Sequence, residues 1–263
     1  LSILALSNPG DGVIIQTPVY PPFFDAIRDN ERKIVENRLI LTDGRYEIDF
    51  ADLEQKLANP QNKLLLLCSP HNPFGRVWTR DELSRVRELC RKYDVEVLSD
   101  EIHSDLVYAG HRHTVFATLG EAAEQAGVTF MAASKTFNVA GLNLSFTVVP
   151  DSQRRAKIQA WINRLQIGRN NLFGVLVTEA AYRTGDDWLE EQLRYLAGNA
   201  DILVDFVQNR LPGVRVHKPE ATYLAWLDFR EHFPNARKLR YFLTHQAEVG
   251  LNLGETFGAA GEG

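Results

Sequence analysis

The chain has 263 residues, 44% hydrophobic and 24% charged, a balance that supports a packed core and excludes a disordered or low-complexity protein. The formal net charge of −5 gives no basic field for nucleic acid or an anionic membrane surface, and no apolar run reaches the length of a membrane span. The only cysteines, Cys68 and Cys90, sit in an apolar run and on a helical pattern, so buried thiols and a reducing cytoplasm are expected rather than a disulfide framework.

Leu1 to Leu6 reads as a helical turn already under way, stopped by the breaker cluster Asn8-Pro9-Gly10-Asp11-Gly12. Val13 to Thr17 reads as a buried strand closed by Pro18, and Tyr20-Pro21-Pro22-Phe23-Phe24 leads into a short helix through Ala26 and Ile27. A strand is expected from Lys33 to Leu41, then a turn at Asp43-Gly44 and a helix opening at Asp49 with an acidic first turn. Lys63 to Cys68 is a continuous apolar run, the signature of a strand covered on both faces. It ends in the turn-rich loop Ser69-Pro70-His71-Asn72-Pro73-Phe74-Gly75.

Thr79-Arg80-Asp81-Glu82 forms a capping box, and Leu83, Val86, Leu89 and Cys90 mark one face of the helix that follows. Val95 to Ser99 is the next strand, with Asp100-Glu101 at its carboxyl end, and a short helical stretch through Glu124 follows Gly120. Val128 to Ala133 then reads as a buried strand that delivers Ser134 and Lys135, before a turn containing Gly141. Burial favours a neutral amine, which Schiff-base chemistry requires. A strand-end lysine also reaches back to water along its apolar stem, and this stretch alone leaves both readings open.

Helices are expected over Ser152–Gln166, Asn171–Arg183 and Asp186–Arg210, the last with Leu189, Leu193, Leu196, Ala200, Leu203 and Val207 on its apolar side. Val214–Val216 and Thr222–Leu227 read as strands and Asn235–Gln246 as a helix. The glycine-rich end and the opening without Met are what an excerpt from a longer chain is expected to show. The alternation of strand and helix argues for an α/β domain with a mainly parallel sheet, whose ligand sits beyond the carboxyl ends of the strands. Asn72, Asp100 and Lys135 all lie just past such ends.

In this order, Ser-Pro-His-Asn-Pro-Phe-Gly (69–75), Ser-Asp-Glu-Ile-His (99–103) and Ser-Lys-Thr-Phe-Asn-Val-Ala-Gly (134–141) resemble the fold-type I pyridoxal-phosphate enzymes of the class I/II aminotransferase superfamily. Pro18-Val19-Tyr20, Asp-Glu-Ile-His and Ser-Lys-Thr-Phe-Asn are most similar to the cystathionine β-lyase (MalY/PatB) branch. The resemblance implies a three-layer α/β/α large domain over 1–195 and the start of a smaller α+β C-terminal domain over 196–263. It implies that Lys135 holds pyridoxal 5'-phosphate as a Schiff base and later acts as the base. Asp100 would pair with the pyridine nitrogen, Asn72 would donate to the phenolic oxygen and Tyr20 would stack on the ring. His103 stands where many aminotransferases carry a tyrosine, and Ser134 is placed to reach the phosphate or to cap the turn before the lysine.

The implied reaction is carbon–sulfur β-elimination from an amino acid such as cystathionine, giving pyruvate, ammonia and a thiol, in a homodimer. Transamination and a non-catalytic regulatory or binding role are the alternatives, because the residues named serve the first equally well. Two departures stand out. Asn143 replaces the arginine that related aminotransferases carry eight residues after the lysine, and the family's phosphate loop and substrate-carboxylate arginine fall outside 1–263. His103, His111 and His113 lack the cysteine pairs or His-Glu-x-x-His helix of a zinc site. No nucleotide-binding glycine loop or Gly-x-Ser-x-Gly elbow is present.

Overall fold

The computed structural model describes residues 1–42, 44–120, 127–168, 170–233 and 235–263. Of the expected Asp43-Gly44 turn only Gly44 is therefore described, and the expected helical stretch through Glu124 lies outside the described residues. The first half of the chain runs α1 (Ser2–Leu6), β1 (Gly12–Thr17), α2 (Pro22–Arg28), β2 (Lys33–Arg38), β3 (Ile40–Thr42), β4 (Arg45–Glu47), α3 (Phe50–Leu57), β5 (Asn62–Cys68), α4 (Arg80–Lys92) and β6 (Glu96–Asp100). There follow β7 (Gly127–Met131), α5 (Ala133–Thr136), β8 (Phe146–Val148), α6 (Ser152–Leu165), α7 (Leu172–Thr184), α8 (Asp186–Arg210), β9 (Arg215–Val216), β10 (Leu227–Asp228) and α9 (Ala236–His245).

Six strands form the main sheet in the order β2-β1-β5-β6-β7-β8. All neighbours are parallel except β7 and β8, which pair antiparallel. Successive side chains along a strand point to opposite faces, and the core divides accordingly. Ile14, Leu65, Leu67 and Val97 pack with Leu53 and Leu57 of α3 and Leu83 and Val86 of α4. Val13, Ile15, Leu64, Leu66 and Leu98 pack on the other face with Ile3 of α1, Phe23 and Ile27 of α2 and Ile158 of α6. A layer of helix covers each face, giving the three-layer α/β/α arrangement expected. Each fully buried leucine or isoleucine in these layers stabilises the fold by about 2 kcal/mol relative to exposure.

Helix ends follow local chemistry. Thr79 Oγ1 accepts from the Glu82 N–H at 3.2 Å while the Glu82 carboxylate accepts from the Thr79 N–H at 2.7 Å, so the capping box is complete. Asp49 accepts from the N–H groups of Ala51 and Asp52 at the start of α3. The stripe expected on α8 is its less exposed side, with Ala200 and Val207 buried, while Ile202 and Phe206 remain exposed. Leu172 and Phe173 of α7 are exposed as well.

Two expectations are corrected and one omission is filled. The strand expected over Lys33–Leu41 divides at Leu39, whose N–H is taken by the Thr17 carbonyl at 2.8 Å; Ile40–Thr42 pair instead with Arg45–Glu47 in a separate hairpin. The strand expected over Thr222–Leu227 does not form, because Thr222 has a left-handed backbone with φ of 71°. Only Leu227–Asp228 pair, with Val216 and Arg215. The omission is β8, an edge strand that the sequence pattern did not reveal.

Residues 219–224 cross instead as a strap over the large sheet. The Glu220 N–H donates to the Gly75 carbonyl at 3.0 Å, and its carboxylate accepts from the Val77 N–H at 2.7 Å and from Arg76 at 3.3 Å. The Thr222 N–H donates to the Leu106 carbonyl at 2.7 Å, and the buried Tyr108 hydroxyl donates to the Thr222 carbonyl. Gly75 has φ of 65°, and a β-carbon there would lie 2.3 Å from the Ala221 carbonyl oxygen. The strap depends on that position being glycine.

Candidate active site

The carboxyl ends of β5, β6 and β7 lie level across the sheet, with Cys68 registered against Asp100 and Asp100 against Phe130. Chain leaving these ends opens onto a cavity of about 370 Å³, within the size range of small-molecule sites. Tyr20, Asn72, Asp100, His103 and Lys135 all line it. Ser134 does not line it; its carbonyl accepts from the Val139 N–H at 3.1 Å and helps close the turn after α5.

The five are held by four stretches of chain, Asp100 and His103 sharing the end of β6 and the loop after it. Tyr20 follows β1, on a segment tied down by the Val19 N–H to the Phe257 carbonyl at 2.9 Å, and its ring meets Phe23 edge-on at 6.0 Å. Asn72 sits in the turn after β5, its backbone N–H directed at Cys68 Sγ at 3.4 Å. His71 beside it is fully buried, with Nε2 donating to the Pro18 carbonyl at 2.8 Å. Burial lowers its pKa to about 4, so it is a neutral brace between the two loops.

Asp100 ends β6 and, among the described residues, accepts one hydrogen bond, from the Ile102 N–H at 3.1 Å. Enclosure pushes its pKa up to about 6, and the neighbouring Glu101 charge adds to the rise while Lys135 opposes it. Glu101 faces the other way and is fully buried. It accepts from Ser99 Oγ at 2.9 Å, the Phe116 N–H at 3.0 Å and His113 Nε2 at 2.8 Å. One carboxylate of the pair is spent on the protein; the other keeps accepting capacity toward the cavity.

His103 is buried, with its ring edge-on to Tyr223 at 5.7 Å. Burial first, and the Lys135 charge second, lower its pKa to about 4, so it presents a neutral imidazole. Lys135 stands on α5, a single helical turn rather than the extended strand end expected from the sequence. Among the described residues, buried Asn72 Oδ1 and His103 Nδ1 have no hydrogen-bond partner. Buried polar atoms are nearly always paired, so these two mark the cavity as a place for a polar ligand.

The far wall escaped the sequence reading. Tyr223 and Leu224 arrive on the strap, and Asn252, Thr256 and Phe257 from the last turns of the described chain. Tyr223 and Leu224 were read as a strand, and nothing in their pattern marks the long-range hydrogen bonds that place them. Asn143 is exposed, its side chain bonded to the Gly141 carbonyl at 3.3 Å, and it does not line the cavity.

Among known proteins, the family model for aminotransferase class I and II matches residues 1–263. The chain is 43% identical over 263 residues to cystathionine beta-lyase PatB of Bacillus subtilis (strain 168), covering all of this chain and 68% of PatB. It is 34% identical over 258 residues to protein MalY of Escherichia coli (strain K12), covering 98% of this chain and 65% of MalY. The crystal structure of cystalysin from Treponema denticola, which contains a pyridoxal 5'-phosphate cofactor, superimposes with a TM-score of 0.95 at 38% identity, over 100% of this chain and 66% of cystalysin. The chain thus spans about two thirds of the length of these relatives. With its mainly parallel six-stranded sheet, it belongs to the aminotransferase class I and II family, in the branch that holds cystathionine beta-lyase PatB and MalY.

Proposed function

We propose that the cavity holds pyridoxal 5'-phosphate and that the protein cleaves carbon–sulfur bonds by β-elimination, converting an S-linked amino acid and water into pyruvate, ammonia and a thiol. The observation that carries this reading is the convergence of Lys135, Asp100 and Asn72 on one cavity, in a chain of the PatB/MalY branch. The residues fit the group. Asp100 has a single donor among the described residues and a raised pKa, the state of a carboxylate awaiting a cationic partner. Asn72 and His103 have unpaired buried atoms, and Tyr20 offers an aromatic surface.

When bound, pyridoxal 5'-phosphate supplies an aldehyde for an amine and a ring that draws electron density away from the substrate Cα. The chain's own residues do the rest. Lys135 Nζ holds the cofactor, then takes the proton from Cα as the thiolate leaves Cβ. Asp100 keeps a proton on the ring nitrogen, and each charge stabilises the other. Asn72 would donate to the phenolic oxygen, and Tyr20 would offer its ring face to the cofactor ring. His103 is neutral at physiological pH, so it adds a polar contact without adding charge. Ser134 lies outside the cavity lining, and its carbonyl closes the turn after α5.

Incubation with L-cystathionine tests the proposal. Pyruvate is expected without an added keto acid, and Lys135→Ala is expected to abolish both pyruvate and the near-visible absorbance band. Acceptor-dependent turnover without pyruvate would replace elimination by transamination. The homodimer and the division into a cofactor-binding part (1–195) and a smaller C-terminal part (196–263) are proposed on the same footing. Exposed Leu172, Phe173, Ile202 and Phe206 support a covering second copy, and α8 runs continuously across the proposed boundary. Light scattering in solution measures the first.

A further inference from the structure

Lys135 has a poor foundation by itself. Helix α5 is four residues long and has no side-chain N-cap, and so short a helix is not stable without tertiary support. One side chain of α5 is hydrogen-bonded to another element among the described residues. Thr136, immediately after Lys135 and 1% exposed, donates from Oγ1 to Asp105 Oδ2 at 2.8 Å. The same oxygen accepts from the Tyr182 hydroxyl of α7 at 3.3 Å.

Asp105 is well placed to transmit this support. It follows Asp100 and His103 on one loop, which is folded on itself by Ser104 N–H to Glu101 carbonyl at 2.9 Å and Leu106 N–H to His103 carbonyl at 3.0 Å. The loop continues into Leu106, where the strap docks. Phe137, the residue after Thr136, is wedged between Tyr182 at 5.4 Å and Trp188 at 5.8 Å. The Lys135 turn is thereby registered to the loop bearing Asp100 and His103 on one side and to α7 and α8 on the other.

The geometry points to Asp105 as a positioning residue: through Thr136 it sets the height and direction of the Lys135 amine relative to Asp100. It does not line the cavity and touches no reacting atom. This inference rests on Lys135 being the lysine that bonds the cofactor. Condensation of the Lys135 amine with the aldehyde releases water and needs the two atoms in near-attack geometry, where small displacements cost large factors in rate. Binding of the ring depends on Asn72, Asp100 and Tyr20, which Asp105 does not carry.

The test separates binding from positioning. Cofactor-free wild type, Asp105→Ala, Thr136→Ala and Thr136→Ser are mixed with pyridoxal 5'-phosphate, and growth of the visible band is followed by stopped flow. Pyridoxamine 5'-phosphate, which has no aldehyde, measures affinity without the bond to the lysine. Asp105→Ala and Thr136→Ala are expected to slow the band on the order of tenfold with affinity for pyridoxamine 5'-phosphate within about twofold. Thr136→Ser is expected to restore the rate, and the double variant Asp105→Ala/Thr136→Ala to be no slower than either single. Wild-type rates in both single variants, or equal losses of rate and affinity, would overturn the positioning role while leaving the lysine assignment standing. No band in wild type would overturn the lysine assignment, and this inference with it.

Discussion

Asp100 offers a measurable conflict between stability and ligand readiness. Its pKa rises from 3.8 to about 6 in the cofactor-free fold, chiefly through enclosure. The native state therefore holds a proton on Asp100 between about pH 4 and 6 that the unfolded chain has released, and stability contributed by this group is lost as pH rises through that window. Two units at 1.36 kcal/mol each give about 3 kcal/mol. Asp100→Asn keeps an acceptor for the Ile102 N–H and removes the titration. Urea melts of wild type and variant at intervals from pH 4 to 8 are expected to show the variant gaining on wild type by up to about 3 kcal/mol, with the gain complete near pH 6.5. The titrations of His71 and His103 cancel in that difference. Saturating pyridoxal 5'-phosphate is expected to reverse the ranking, because the charged carboxylate then has its partner. A difference that stays flat with pH, or that favours wild type as pH rises without cofactor, would refute the account of Asp100.

Three further outcomes follow from the site. Glu101→Gln leaves one of the donors from Ser99, Phe116 and His113 without an acceptor; denaturant melts are expected to show a loss of about 2 kcal/mol or more. The same substitution removes a charge that raises the Asp100 pKa, so the window above should move downward. Gly75→Ala forces a β-carbon against the Ala221 carbonyl at a positive φ and is expected to cost about 2 kcal/mol or more, with faster proteolysis near 219–224. His71 and His103, each with a pKa lowered to about 4 by burial, are neutral where the unfolded chain is protonated. Their stabilisation is present above about pH 6.5 and is lost as pH falls through 4, and imidazole NMR shifts are expected to stay neutral down to about that pH.

Local chemistry was legible wherever it decides the outcome. The capping box at Thr79 and Glu82 needs only residues three apart, and α8 has the bounds its apolar period indicated. Strand β5 announces itself by the continuous apolar run Leu64–Cys68, as a strand covered on both faces does, and the ends of β5, β6 and β7 then place Asn72, Asp100 and Lys135 together. Thr222–Leu227 misled for the opposite reason. Its aromatic and apolar residues read as a strand, but Leu106 and Tyr108, far back in the chain, take the Thr222 N–H and carbonyl and hold it in another shape. Glu101 was passed over because a carboxylate's value there depends on which donors surround it, and Ser99, Phe116 and His113 converge only in three dimensions. The Lys135 turn was extended in the sequence reading because a four-residue helix leaves no period to detect.

The strap also fixes an order of events. Asp100 ends β6, and Asn72, His103 and Lys135 lie just past the ends of neighbouring parallel strands, so the sheet can assemble this half of the cavity as it forms. Tyr223 and Leu224 come only when Glu220 meets Gly75 and Arg76, a closure of more than 140 residues whose entropic cost is met by a handful of hydrogen bonds. A ligand resting on the strand ends gives that late closure something to fold onto. Its binding energy then accrues to these long-range contacts, and the chain without it is expected to open there first.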